Sequence, residues 1–403
     1  MTDGRYAYLI AAARTIAVAA AAGAALLAGG TARMAPAQGK TLSPAAAPGL
    51  PTPVVRRDPA LERRVDSLMR ATLAQRNAPG AAVALLRHDT LVLAKGYGVA
   101  HRERGTPVTA ETIFQIASTT KPFTAIAVMM LVEAGAIELD APAARYLPWL
   151  PDRYRAVTVR QLLTHTSGVA SDLRRANVDE FPIEEFRRRL DATPASFAPG
   201  ERWEYSNTGY TLLSLIVEAA SGREFGDFLR ARIFEPLGMR HTGYRVPLRA
   251  DPQHAMGYDM VDIQLVAAPH VFSGWGNSGI ETTAPDLARW AAAVERGALL
   301  RPESWRAIFT RAQLGSGTVV DVDFAGLPSS GYGFGWVLST SRGAELRSHG
   351  GAIAGFSSIV NWFPQNGWTV IVLSNGKQGA DRMGQADGIA RALADALVIA
   401  SER

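Results

Sequence analysis

Ser118 and Lys121 stand three residues apart in the stretch FQIASTTKPFTAIAVMMLVEAG, Phe114 to Gly135, at the mouth of an apolar run. Lysine is scarce in this chain: Lys40, Lys95, Lys121 and Lys377 are all there are, against 42 lysines and arginines together, so lysine is not a default surface cation. A lysine amine can lose its proton when desolvated and an arginine cannot, a difference that matters where protons are transferred. A serine hydroxyl is inert until a neighbouring base takes its proton. Lysine or tyrosine can do so near neutral pH when burial or nearby positive charge lowers its pKa. The chemistry open to this pair is nucleophilic attack by an activated serine.

S-x-x-K alone is a weak pattern, because a serine before an apolar helix is commonly an N-cap, and Ser374 to Lys377 (SNGK) has the same spacing. Context separates the two. SNGK follows a strand and reads as a turn, whereas Ser118 opens a helix, which puts Ser118 and Lys121 about one turn apart on one face. Pro122 is tolerated in that first turn. Two further stretches enlarge the pattern: GERWEYSNTGY supplies Tyr205 and Asn207 as Y-x-N, and RSHGGAIAGF carries His349, Gly350 and Gly351 out of a strand. Tyr205 by itself could be a core aromatic with a satisfied hydroxyl; Asn207 beside it and the other motifs raise it above that.

In this chain order, and with LLTHTSG and YSNTGY in similar wording, the sequence resembles the serine β-lactamase and penicillin-binding-protein superfamily. The branch it resembles is the class C-like one: class C β-lactamases, D-Ala-D-Ala carboxypeptidases, D-aminopeptidases and related esterases. The resemblance spans about Asp58 to Ala400. It implies that Ser118 is the acylated nucleophile, that Lys121 helps to remove its proton, and that Tyr205 is the general base and acid. It also implies that Asn207 bonds Lys121 and a substrate amide, that His349, Gly350 and Gly351 line the substrate, and that the backbone N–H groups of Ser118 and Ala352 form the oxyanion hole. Class C β-lactamases typically carry lysine where this chain has His349. A histidine of ordinary pKa near ~6.5 is mostly neutral above pH 7, so the departure implies poor β-lactam hydrolysis and a preference against carboxylate substrates that grows between about pH 6 and 8.

The elements that must position these residues follow from periodicity. Asp58 to Gln75 has helical spacing behind an Asp-Pro start. GAAVALLRHDTLVLAKGYGVA reads as a hairpin of buried strands turning at Arg87 to Thr90. From about Thr158 to Glu295 the signals are mostly helical, with Gly222 and Gly297 as stops. GYGFGWVLST, AELRSH, GFSSIVNWF and WTVIVLSN then read as strands, with Asn366-Gly367 as a type I′ turn, and a helix over about Gln385 to Ile399 ends the chain. Strands at both ends with helices between them imply an α/β fold of β-lactamase/transpeptidase type: one antiparallel sheet built from both chain ends and flanked by helices, with a mostly helical middle. The α/β part covers about 58–117 and 325–403, the helical part about 118–324.

Arg5 and Arg14 ahead of TIAVAAAAGAALLAGG, with APA at Ala35 to Ala37, read as a secretory signal peptide over 1–37. The apolar run is shorter than the ~20 residues a membrane span needs, so no stable span is expected after cleavage. Residues 38–57, rich in Pro, Ala and Gly, read as a linker. The expected location is periplasmic or extracellular. The formal charge of +5 comes from scattered arginines; RRRL at Arg187 to Leu190 reads as a solvated helix face, and nucleic acid is not expected as a partner. With no cysteine there is no thiol nucleophile, disulfide or thiolate metal site.

Other candidates recede on inspection. HTG at His241 to Gly243 follows EPLGM and reads as a loop, and His165 in LLTHTSG reads as a structural histidine. No G-x-S-x-G occurs, GYGFGW is no phosphate loop, and His88, His101, His254 and His270 lack metal-ligand spacing. No cofactor is expected. Two functional classes fit: a secreted serine hydrolase acting on a D-amino-acid peptide, β-lactam or carboxylic ester, and a non-catalytic homologue that binds cell-wall peptides. The intact motif set favours the first, with a small-molecule or peptide substrate as the partner.

Overall fold

A computed structural model of the chain describes residues 53–173, 182–245, 253–261, 264–270, 275–324, 327–377 and 384–399. The expected signal peptide and the linker up to residue 52 lie outside the described residues. The end of that linker is already part of the fold: Leu91 N–H donates to Val54 C=O at 2.9 Å and Arg56 N–H to Leu91 C=O at 3.0 Å. Backbone hydrogen bonding to the fold thus reaches residues before the expected boundary at Asp58, because pairing with a strand needs no side-chain period.

The strands, in chain order, are β1 (Gly80–Arg87), β2 (Thr90–His101), β3 (Thr106–Pro107), β4 (Phe114–Gln115), β5 (Gly243–Tyr244), β6 (Tyr258–Val261), β7 (Gln264–Ala267), β8 (Ile280–Thr282), β9 (Val322–Phe324), β10 (Leu327–Tyr332), β11 (Val337–Ser341), β12 (Ala344–Ile353), β13 (Phe356–Phe363), β14 (Trp368–Ser374) and β15 (Gly376–Lys377). The helices are α1 (Pro59–Gln75), α2 (Lys121–Glu133), α3 (Val159–Leu163), α4 (Ile183–Ala192), α5 (Asn207–Ser221), α6 (Phe225–Leu229), α7 (Ala284–Glu295), α8 (Pro302–Ile308) and α9 (Gly384–Ala394).

The main sheet runs β3-β2-β1-β14-β13-β12-β11-β10-β9, with every described pairing antiparallel. β1 against β14 joins the two ends of the chain, as the order of strand and helix signals implies. Successive residues of β1 serve opposite faces. Ala81, Val83 and Leu85 pack with Val65 and Met69 of α1 and Ile389 and Leu393 of α9; Ala82, Ala84 and Leu86 join the cluster holding α2, α5 and α7. A strand buried on both sides needs a continuous apolar run, which is what GAAVALL supplies.

Two expected details differ. GYGFGWVLST is not one strand: β10 ends at Tyr332, and a turn closed by Gly333 N–H on Trp336 C=O at 2.8 Å precedes β11. Asn366-Gly367 is not a type I′ turn, which needs positive φ at both residues; only Gly367 has it (φ 63°). Pro364 with its fixed φ starts the reversal instead, and Asn366 N–H closes it on Phe363 C=O at 3.2 Å. The middle of the chain also holds the short strands β4, β5 and β8, which form one small sheet, and β6 and β7, which join β15 in another.

Register exposes one functional edge. β11 pairs with β12 from Ala344 to Ser348 and no further, while β13 pairs with β12 on to Ile353. From His349 to Ile353, β12 therefore has a strand on one side only. α2 lies across the helical side and is buried from Lys121 to Leu131. Gly335 packs where α2 begins, and a Cβ on it would lie 2.9 Å from Lys121 C=O and 3.0 Å from Pro122 N at a φ of +77°. Gly335→Ala is expected to cost about 2 kcal/mol or more and to lower catalytic rate as well, since it pushes on the lysine's own peptide. Chemical denaturation together with ester turnover on the folded fraction checks both effects.

Candidate active site

Ser118 sits in a 3-10 turn, Ala117–Thr120, that leads directly into α2. The residue before it, Ala117, has φ +46°, a conformation costly for a residue with a Cβ. The turn is held from outside: Thr119 Oγ donates to His349 C=O at 3.3 Å and contacts Ser358 Oγ at 2.8 Å, and Ser358 Oγ donates to Ile116 C=O at 2.7 Å. Gly351 makes this approach possible, because a Cβ there would lie 2.2 Å from Ile116 C=O and 2.8 Å from Ser118 N. Glycine at this position thus serves contact with the nucleophile's turn.

Lys121 has no exposed surface. Its ammonium donates to Ser118 Oγ at 3.0 Å, Asn207 Oδ1 at 2.9 Å and Asn277 C=O at 3.0 Å. It also lies 4.7 Å from the ring centre of Tyr205 and 5.5 Å from that of Tyr210. Three acceptors match three ammonium protons, and aromatic faces add favourable charge contact. With Lys121 donating to Ser118 Oγ, the serine's own proton is free to point elsewhere.

Tyr205 and Asn207 arrive together at the start of α5, whose N-cap Ser206 accepts from Gly209 N–H at 3.0 Å. Asn207 Nδ2 donates to Asp172 Oδ2 at 3.0 Å, which fixes its amide so that Oδ1 faces Lys121. His165 anchors the same segment: its Nδ1 accepts from Ser206 N–H at 3.0 Å and its C=O from Glu204 N–H at 3.0 Å. Its buried ring lies tilted against Tyr205 and Tyr332, with ring centres 4.5 Å and 4.7 Å away. Burial first, then the charge of Lys121, holds His165 far below the usual histidine range. This is a scaffold role, as LLTHTSG suggested.

His349 overturns one expectation. Its side chain is 1% exposed, its Nδ1–H donates to Gly350 C=O at 2.8 Å, and its Nε2 accepts from Tyr332 O–H at 3.1 Å. Burial, aided by Lys121, lowers its pKa to about 3. It is a neutral packing group, and titration of its side chain between pH 6 and 8 cannot sense a substrate carboxylate. Arg347 does not replace it: its guanidinium bonds Glu345 at 2.8 Å and stacks 4.2 Å from Phe309 and 4.7 Å from Trp362. Gly350, Gly351 and Ala352 lie on the one-sided stretch of β12.

Asn277 and Asp172 were not found in the sequence. Asn277 acts through its backbone carbonyl, which any residue carries, and Asp172 follows LLTHTSG with no motif of its own. Of the competing residues, His241 is in a loop beside Glu111 at 3.6 Å, and Arg188 and Arg189 pair with Glu185 along α4.

A serine on a strained turn with a buried lysine beneath it, on a sheet joining both chain ends, defines the β-lactamase fold class, and the protein is a serine hydrolase of that fold. The chain belongs to the Beta-lactamase family, whose model matches residues 65–394. It is 30% identical over 363 residues to Esterase EstB of Burkholderia gladioli, covering 78% of this chain and 91% of that protein. It is 31% identical over 310 residues to Penicillin-binding protein 4* of Bacillus subtilis (strain 168), covering 71% of this chain but 65% of that longer protein. Among solved structures, it is similar to the octameric penicillin-binding protein homologue from Pyrococcus abyssi, with TM-score 0.72 and 28% identity over 83% of this chain and 77% of that one.

His349 and His165 are both neutral when folded, while in the unfolded chain a histidine protonates near ~6.5. Between that value and about 3 the unfolded state binds more protons at His349, so its contribution to stability is full above ~6.5 and is lost as pH falls. Urea midpoints are expected to drop from pH 7.5 to 5, less steeply in His349→Gln. Over pH 6 to 8 the ratio of kcat/KM for carboxylate and neutral substrates should be unchanged by that substitution.

Proposed function

We propose that this enzyme is an exported hydrolase that forms an acyl-enzyme on Ser118 and cleaves neutral carboxylic esters in preference to β-lactams. The observation that carries the acyl-enzyme reading is the wholly buried Lys121 amine 3.0 Å from Ser118 Oγ. A serine that only capped a helix would need no buried cation. Ser118 Oγ attacks the ester carbonyl carbon while its proton passes to Tyr205. The oxyanion takes hydrogen bonds from Ser118 and Ala352 N–H, each worth roughly 3 kcal/mol. Collapse of the tetrahedral adduct breaks the bond to the alcohol oxygen, which receives the proton from Tyr205. Water then attacks the acyl carbon with Tyr205 again as base, releasing the acid and restoring Ser118. Asn207 keeps Lys121 in place and offers its amide to the substrate.

The preference for neutral esters rests on the third motif. A buried, uncharged His349 gives no cation for the carboxylate of a β-lactam, and Arg347 is held elsewhere. Esterase EstB, matched over most of its length, is named for ester cleavage. Export is supported by Arg5 and Arg14 ahead of the apolar run and by the small residues at 35–37; N-terminal sequencing of periplasmic or secreted protein should begin near Gln38.

Mass spectrometry after a fluorophosphonate should find the adduct on Ser118 and none in Ser118→Ala. A panel of p-nitrophenyl butyrate, nitrocefin and a D-Ala-D-Ala peptide should give the highest kcat/KM with the ester. Tyr205→Phe, which keeps the ring and deletes the hydroxyl, should lower ester turnover by 100-fold or more. An adduct on another residue removes the mechanism; nitrocefin outpacing the ester removes the substrate preference.

A further inference from the structure

Beneath the nucleophile's turn lies a buried polar cluster that the reaction as described does not use. Glu281, on β8 and 3% exposed, receives two hydrogen bonds at one carboxylate oxygen and faces a second histidine with the other. His270 Nε2–H reaches its Oε1 at 2.7 Å, Gln115 Nε2–H reaches the same oxygen at 3.0 Å and lies 3.0 Å from His270 Nε2, and His254 Nε2 stands 3.2 Å from Oε2 as an ion-pair contact outside hydrogen-bond geometry. Burial alone would raise the Glu281 pKa, but the two neighbouring histidines bring it down to about 2. His101 completes the surroundings, with its Nε2–H on His254 C=O at 2.8 Å.

Each partner leads to a different part of the site. Gln115 and Glu281 are paired across β4 and β8, and Gln115 is three residues before Ser118. The pairing continues into the turn: Ile116 N–H donates to Ile280 C=O at 3.1 Å and Ile280 N–H to Thr120 Oγ at 3.3 Å. Four residues before Glu281 is Asn277, whose carbonyl holds Lys121. His254 and His270 flank the β6–β7 hairpin. The base of that hairpin packs on the turn after Ala352: Gly355 N–H donates to Asp259 Oδ1 at 2.9 Å, and Tyr258 N–H to Gly355 C=O at 3.2 Å.

We infer that Glu281, held by His254 and His270, is a positioning residue for the acyl-transfer reaction, fixing Ser118, Lys121 and the oxyanion strand in one register. It touches no substrate. It acts through the β4–β8 pairing and through the hairpin base, so its loss should slow activation of the serine more than it weakens substrate binding. This inference rests on Ser118 being the nucleophile.

The test measures the rate of fluorophosphonate labelling at Ser118 in the full chain, with ester kcat and KM. Labelling of the parent on Ser118 tests the nucleophile assignment first and separately. In Glu281→Gln, which keeps size but turns one acceptor into a donor facing a histidine N–H, labelling rate and kcat should fall at least tenfold with KM within about threefold. His270→Gln, which still offers an N–H at similar reach, should keep at least half the parental labelling rate, and His270→Leu should fall tenfold. A folded Glu281→Gln enzyme labelled at the parental rate overturns the inference. If Glu281→Gln does not fold, the His270 pair decides it: parental labelling in His270→Leu, or equal losses in His270→Leu and His270→Gln, overturns it as well.

Discussion

An ammonium with no exposed surface must find all of its compensation inside the protein, and Lys121 sets that requirement for the whole site. Leaving such a charge unpaired in a low-dielectric interior costs several kcal/mol, so the surrounding chain must supply acceptors at fixed places. It does so from three separate segments: Ser118 on the turn before α2, Asn207 at the start of α5, and the carbonyl of Asn277 ahead of β8. None of these can move independently without exposing a donor. The same contacts that satisfy the charge therefore define where the nucleophile stands relative to the tyrosine segment.

That demand explains where the fold tolerates strain and where it omits side chains. Ala117 accepts a positive φ so that the chain can turn sharply from β4 into the serine, and the hydroxyls of Thr119 and Ser358 lock the turn against β12 and β13. Gly351 and Gly335 approach the same short segment at different points, one against Ser118 N and the other against Lys121 C=O. Both let backbone meet backbone. The nucleophile's turn is thereby clamped between the main sheet and the loop before β11, and its rigidity is a property of tertiary packing more than of helix propensity.

Residues whose chemistry depends on their side chains were legible in the sequence. Ser118, Lys121, Tyr205 and Asn207 are brought together where the motifs implied, and the joining of both chain ends in one antiparallel sheet followed from alternation and apolar runs. What the sequence hid has a common physical character. The carbonyl of Asn277 has no residue identity, and the reason for Gly351 lies in a contact with a turn more than 200 residues away. The break in GYGFGW and the reversal at Pro364 depend on local φ choices that alternation does not report. His349 was legible as a position but not as a state, because its burial and its bond to Tyr332 are set by packing across several elements.

The contrast between Lys121 and His349 carries the functional argument furthest. Burial forces a choice on every ionisable group: acquire partners for the charged form or adopt the neutral form. Lys121 has acceptors for every proton, and its charge is spent on holding Ser118, Asn207 and the loop at Asn277. His349 has a carbonyl at Nδ1 and a hydroxyl at Nε2, which suit the neutral Nδ1–H tautomer, and burial disfavours an added proton. The third motif thus contributes no positive field to the open edge of β12. What that edge does offer is backbone from Gly350 to Ile353 with no strand on one side, the carbonyls of His349 and Gly350 being already taken by Thr119 Oγ and His349 Nδ1. Among the described residues, what β12 itself brings to that edge is backbone and the shape of the strand, with no charged side chain from the third motif.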